Sequence, residues 1–315
     1  MMSWPRPLDI RDMKIISLFV VLGLAFPMAL RAAASADTAQ LLDRARAVLL
    51  VEEEHGSTIV AKSPALELPI ASLTKLMTAL VFLESHPSWK REVTINAADL
   101  QGLGTRVLAV EDRLKLDQLF SLMLIHSDNN AALAIARESG LSLDEFVAAM
   151  NAKAEVLGLL HTHFVEPTGL DAGNRSTASD LVRLAWVAFQ RPEIATALER
   201  RAFSLLLVRK DGKGAKMITK SIVSTNLLLG RKVGDLQVLL GKTGTTDEAG
   251  YSYIVRAGTL AKQPIHFLGV ILSTATQHDR FDVALDILRF GAAQFAHAMI
   301  PHSPAPGFEV HSAAD

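Results

Sequence analysis

A serine hydroxyl three residues ahead of a lysine amine, Ser72 and Lys75 in Ser72-Leu73-Thr74-Lys75, is the first combination in the chain able to do chemistry. On a helix the two share a face one turn apart. A hydroxyl becomes a nucleophile once a base takes its proton, and a lysine in apolar surroundings has its pKa lowered toward the range where it can be that base. The surroundings here are apolar. From Ser72 to Glu84 the residues Leu73, Leu76, Met77, Ala79, Leu80, Val81, Phe82 and Leu83 cover every side of a helix, the pattern of a buried one. The N–H groups free at its start would favour negative charge developing beside Ser72. The spacing occurs once in the sequence, and a lysine buried without a task would be costly.

Two further groups complement it. In Ser127-Asp128-Asn129, the Ser127 hydroxyl can pass a proton to a departing amine and the Asn129 amide can hold a carbonyl; Ser, Asp and Asn are also the residues of an ordinary helix N-cap. Ser224-Thr225-Asn226 has the same form but lies on the approach to a strand. In Lys242-Thr243-Gly244, which follows the apolar run Leu236 to Leu240, Lys242 can hold a carboxylate, Thr243 can hydrogen-bond it, and Gly244 lets a substrate backbone come close. A phosphate loop is excluded at Gly241-Lys242-Thr243, because position 236 is Leu where that motif needs Gly.

These residues need elements to carry them. Runs at 46–51 and 57–62 separated by Gly56 predict two strands, followed by the helix from Ser72. Segments 115–125 and 129–138 predict helices meeting at Ser127-Asp128. Ser142 with Glu145 predicts a capping box opening a helix to about Leu157, and Thr177 with Asp180 opens another that closes near Pro192. Strands are predicted at 202–208 and 216–223 around Asp211-Gly212-Lys213-Gly214, then at 236–243, 251–257 and 264–273, ahead of an amphipathic helix from about Asp279 to Ala296. That order implies one sheet with helices segregated from it.

In the order Ser-x-x-Lys, Ser-x-Asn, Lys-Thr-Gly, the three motifs form the signature of the active-site serine penicillin-recognising enzymes. The chain resembles the low-molecular-weight penicillin-binding proteins of the D-alanyl-D-alanine carboxypeptidase family. The likeness runs through Pro69 to Ala79, Met150 to Ala154, Phe164 to Leu170, Ser176 to Ala178, and Lys242 to Thr246 with Ala249-Gly250, covering about residues 40–295. Asp128 stands where those carboxypeptidases usually have Gly. The chain also stops soon after the catalytic domain. Both features are more similar to the single-domain DD-endopeptidase branch, like penicillin-binding protein 7.

The resemblance implies an α+β fold of the β-lactamase/transpeptidase-like type, an antiparallel sheet with an α-helical subdomain. It also implies a cofactor-free serine peptidase acting on D-Ala-D-Ala stem peptides of peptidoglycan and acylated by β-lactams. In that scheme Ser72 is the nucleophile, Lys75 the base and Ser127 the proton relay. Asn129, Lys242, Thr243, Gly244 and Thr245 bind substrate, with the N–H groups of Ser72 and Thr245 forming the oxyanion hole. Two other readings remain: a class A type β-lactamase, for which Glu166 would have to serve a water, and a catalytically silent wall-binding or sensor protein.

The bulk numbers fit an exported globular domain. The 315 residues are 50% hydrophobic and 21% charged with a net charge of −1, and no basic run suggests nucleic acid. With no cysteine, disulfides, thiolate catalysis, cysteine metal sites and a lipoprotein anchor are excluded. Arg6, Arg11 and Lys14 precede an apolar run, Ile15 to Leu30, and then Ala34-Ser35-Ala36, which predicts a signal peptide over 1–36 and a periplasmic or other extracytoplasmic destination. An uncleaved inner-membrane signal anchor is the alternative. The catalytic domain is expected over 37–298, with a flexible tail over 299–315. His161 and His163 flank Thr162 without an obvious third ligand, so no metal is expected there. Glu52-Glu53-Glu54 reads as a solvated strand end, and Trp4, Trp89 and Trp186 show no stacking pattern.

Overall fold

The computed structural model describes residues 42–101, 107–211, 214–261 and 264–298; the expected signal segment and tail lie outside them. Among the described residues, no helix is long and apolar enough to cross a membrane.

The principal sheet has six strands, all antiparallel: β1 (Ala45–Glu52), β2 (Thr58–Lys62), β9 (Lys232–Val233), β10 (Leu236–Thr246), β11 (Gly250–Thr259) and β12 (His266–Thr274), in the order β2-β1-β12-β11-β10-β9. Residues 45–52 form a near-continuous apolar run because both faces are covered. Alternate side chains point to opposite faces. Val48 and Leu50 pack with Val283 and Leu288 of the last helix, α7 (Gln277–Ala298), while Ala47, Leu49 and Val51 join the core on the other side.

That second core holds six helices: α1 (Lys75–Leu83), α2 (Leu116–Ile125), α3 (Asn129–Glu138), α4 (Leu143–Val156), α5 (Ala178–Phe189) and α6 (Pro192–Leu198). Every residue of α1 is buried, as its all-round apolar pattern requires. Ser142 and Glu145 cap α4 reciprocally, and the Thr177 hydroxyl accepts from the Asp180 N–H at the start of α5. These helices meet their predicted positions closely; α6 was not expected.

Three expectations change. The hairpin of β7 (Ala202–Asp211) and β8 (Gly214–Val223) does not join the main sheet. It pairs with β4 (Glu92–Thr94) and β5 (Arg113–Lys115) in a separate four-stranded sheet, and β3 (Leu68–Pro69) pairs with β6 (Arg175–Ser176) in a third. Strands of two or three residues are too short for a period-2 pattern to reveal. Glu52 is buried rather than solvated: its carboxylate accepts from the N–H groups of Glu54 and His55, and Glu53 pairs with Arg256. Trp89 stacks edge-on against Phe82 and Phe120, contacts too distant in sequence to be seen as a pattern.

Candidate active site

Ser72 lies not in α1 itself but in the 3-10 turn Ala71–Thr74 that leads into it. Two glycines fix this turn. Gly169 has φ +86°, and a Cβ there would lie 2.0 Å from the Ala71 carbonyl oxygen. On the other side, a Cβ at Gly244 would lie 2.8 Å from the Ile70 carbonyl oxygen and 3.2 Å from the Leu73 nitrogen. So Gly244 leaves room for the Ser72 turn, where a side chain would collide with its backbone. Ala71 itself has φ +47°, a left-handed conformation that costs energy for a residue with a side chain.

Lys75 follows at the first position of α1, fully buried. Its Nζ stands 2.8 Å from Ser72 Oγ, and donates to Asn129 Oδ1 at 2.7 Å and to the Thr168 carbonyl at 2.6 Å. Burial lowers its pKa to about 7, against the opposing attraction of Glu166 and Asp128. Two of the three partners are carbonyl oxygens, which can only accept. A neutral amine has two N–H groups for them and one lone pair, and the remaining direction is toward the Ser72 hydroxyl.

Ser127 and Asn129 come from the joint of α2 and α3. Ser127 has φ +63°, and Asp128 is the N-cap of α3, its carboxylate accepting from the Ala131 N–H at 2.8 Å. The cap thus belongs to Asp128, while the residues on either side turn their side chains to the two lysines. With its Oδ1 on Lys75, the Asn129 amide presents Nδ2 as its donor.

Lys242 is fully buried on β10. It donates to Ser127 Oγ at 2.7 Å and to the Thr243 carbonyl at 2.8 Å. Its pKa is pushed well down, chiefly by burial and further by the positive charges of Lys75 and Arg280. Thr243 Oγ1 donates to Thr225 Oγ1 at 2.6 Å, so the second Ser-x-Asn segment supports the site rather than competing for it; Asn226 Oδ1 accepts from the buried Tyr253 hydroxyl. The exposed Thr245 follows Gly244.

Arg280 was missed by sequence reasoning. Its guanidinium is buried under Tyr251 and Phe281 and donates to the Gly244 carbonyl at 3.2 Å and to Thr245 Oγ1 at 2.9 Å. Burial lowers its pKa to about 10. A signal was present: Arg280, Ala284 and Leu288 form an i, i+4, i+8 stripe on α7 with an arginine on its buried face. Thr168 contributes a backbone carbonyl, which leaves no mark on residue type.

Glu166 holds its own loop together, accepting from the N–H groups of Thr168 (2.6 Å) and Gly169 and from Asn174 Nδ2 (2.6 Å). His161 is exposed beside Glu67. The one acidic-histidine grouping of metal-binding type among the described residues is Glu52, Glu54 and His55, outside this cleft.

A serine, a buried lysine pair and a second serine arranged in this way occur on a recognised fold. The family model for D-alanyl-D-alanine carboxypeptidases, peptidase S11, matches residues 33–273. The chain belongs to that family. It is 33% identical over 245 residues to a D-alanyl-D-alanine endopeptidase of Pseudomonas aeruginosa, covering 77% of this chain and 75% of that one. It is also 33% identical over 249 residues to a D-alanyl-D-alanine endopeptidase of Escherichia coli, covering 77% of each. The crystal structure of the Streptomyces K15 DD-transpeptidase superposes with a TM-score of 0.72 at 26% identity, over 79% of this chain and 97% of that one. The fold is therefore that of the penicillin-binding DD-peptidases, and the protein is a serine-type hydrolase of the D-Ala-D-Ala peptidase class.

Proposed function

We propose that the enzyme hydrolyses D-Ala-containing bonds in peptidoglycan stem peptides, cross-links included, through an acyl-enzyme on Ser72. The carrying observation is the geometry around Lys75: two fixed carbonyl acceptors, and the nucleophile at 2.8 Å in the remaining direction. Neutral Lys75 takes the Ser72 proton as Oγ bonds to the carbonyl carbon of the penultimate D-Ala. Charge on the carbonyl oxygen meets the N–H groups of Ser72 and Thr245. The C–N bond then breaks as Ser127, linked to Lys242, gives its proton to the departing amine and takes up the one that Lys75 removed from Ser72, which returns Lys75 to its neutral form. Water reverses the first half: its proton goes to Lys75, the ester breaks, and Ser72 recovers its hydrogen.

The cleft prefers an anion. The charges of Lys75 and Arg280 oppose charging of Lys242, and a substrate carboxylate near Lys242, Thr243 and Arg280 relieves that repulsion. Both substrate and β-lactam carry a carboxylate. Glu166 is spent on backbone donors of its own loop, which favours a peptidase over a lactamase whose loop glutamate serves a water. The identity with two endopeptidases and the presence of Asp128 favour cleavage of cross-links. In this reading residues 1–36 are an export signal and the enzyme works outside the cytoplasm.

Mass spectrometry of a penicillin-treated digest tests the core of the proposal. The adduct is expected on the peptide containing Ser72; an adduct on another serine, or none, rejects it.

A further inference from the structure

Strand register places Thr245, Tyr251, Thr274 and Ala45 in one row across the ends of β10, β11, β12 and β1. At one end of the row Arg280 of α7 donates to Thr245 Oγ1 and lies under the Tyr251 ring. Along this row opens a cleft of about 500 Å³, lined by Thr245 and Tyr251 together with Arg44, Arg46, Asp247 and Glu248. It extends from Thr245, the residue after Gly244, across the end of the sheet to the start of β1.

The volume lies in the range of small-ligand sites. A single departing D-Ala would be held at Lys242, Thr243 and Arg280 and would not need it. A departing chain would. Among the described residues Arg44 is half-exposed, paired with Asp279 at 3.7 Å and Asp282 at 3.5 Å, and Arg46 is exposed. Both guanidinium groups can therefore still receive carboxylates in the paired geometry arginine favours. Asp247 and Glu248, exposed in the β10–β11 turn, offer acceptors opposite.

We propose that this cleft is the subsite for the departing stem peptide of a cross-linked dimer, with Arg44 and Arg46 receiving its free carboxylates and Asp247 and Glu248 its N–H groups. The assignment rests on the reading above, that cross-links are cut with the departing carboxylate toward Thr245 and Arg280. It makes these four residues determinants of specificity rather than of chemistry.

The double variant Arg44→Ser/Arg46→Ser tests it, in the full mature enzyme, with three substrates side by side: purified cross-linked muropeptide dimer, monomeric pentapeptide muropeptide, and a fluorescent penicillin. Expected is a loss of about tenfold in kcat/KM for the dimer, with D-Ala release from the monomer and penicillin acylation unchanged. The monomer presents the same acyl-donor stem, so a donor-side role would lower both peptide activities together, and that result overturns the proposal. Unchanged dimer cleavage in the variant overturns it too, as does a wild-type enzyme that acylates at Ser72 but leaves dimers uncut. Failure of the wild type to acylate at Ser72 instead strikes the catalytic reading itself.

Discussion

Acylation by penicillin should follow the neutral fraction of Lys75 as pH changes. With a pKa of about 7, roughly half of the enzyme carries a neutral amine at pH 7 and about 1% at pH 5, so the second-order acylation rate should fall about fiftyfold between them. Above pH 8 it should be flat. A lysine at its ordinary value of 10.5 would instead give a rate still rising tenfold per pH unit through pH 9. The depression corresponds to roughly 5 kcal/mol, supplied mainly by burial. Asp128 opposes it. Asp128→Asn keeps an N-cap acceptor for the Ala131 N–H but removes the negative charge, so the midpoint of the profile should move to lower pH.

Timed labelling with a fluorescent penicillin from pH 5 to pH 9, quantified on gels, measures both profiles. A wild-type rate independent of pH below 7, or an Asp128→Asn midpoint displaced upward, would refute the assignment of Lys75 as base. Stability provides a separate check on sign. Between the unfolded value near 10.4 and the folded value near 7, the unfolded chain binds a proton that the native chain lacks, so Lys75 makes stability rise with pH across that window.

Lys75→Ala should lower acylation at least a hundredfold, roughly the contribution of a general base, while thermal unfolding shows the fold retained, since a buried amine is removed along with its desolvation cost. Gly169→Ala should destabilise the protein and reduce acylation together, because its methyl would overlap the Ala71 carbonyl beside the nucleophile; retained melting temperature with full activity would contradict the close approach. Arg280→Leu should weaken penicillin capture by about tenfold or more, with a smaller effect on the limiting acylation rate, as saturation kinetics can resolve.

Elements with a long, regular pattern were legible in the sequence. The all-apolar run of α1, the capping box at Ser142 and the alternation along β10 to β12 each state a local preference that tertiary packing agrees with. The residues of the first two motifs lie at element boundaries and those of the third inside β10, and Lys75–Asn129 and Lys242–Ser127 contacts join them. What could not be read depends on non-local pairing. The separate sheet joins residues 92–94 and 113–115 to a hairpin some ninety residues further on. Glu52 looks like a surface acid until the turn 54–55 folds its N–H groups onto the carboxylate. Thr225 and Arg280 reach the site by side-chain contacts with β10, and Thr168 reaches it through a carbonyl that any residue type would supply.

The two glycine contacts explain how Ser72 can be held in a turn rather than within a helix. The 3-10 turn Ala71–Thr74 would be free to rewind as a first turn of α1, which would spare Ala71 its positive φ. Gly169 meets the turn at the Ala71 carbonyl, and Gly244 meets it at Ile70 and Leu73. Each contact is backbone against backbone, with no side chain able to yield, so rotation of the turn in either direction meets a wall. Lys75 then anchors the far end through Asn129, on a third segment, and through Thr168, next to Gly169. The Ser72–Lys75 distance is in this way set by three separate parts of the chain, and the strain at Ala71 is sustained by packing that a helical start would lose.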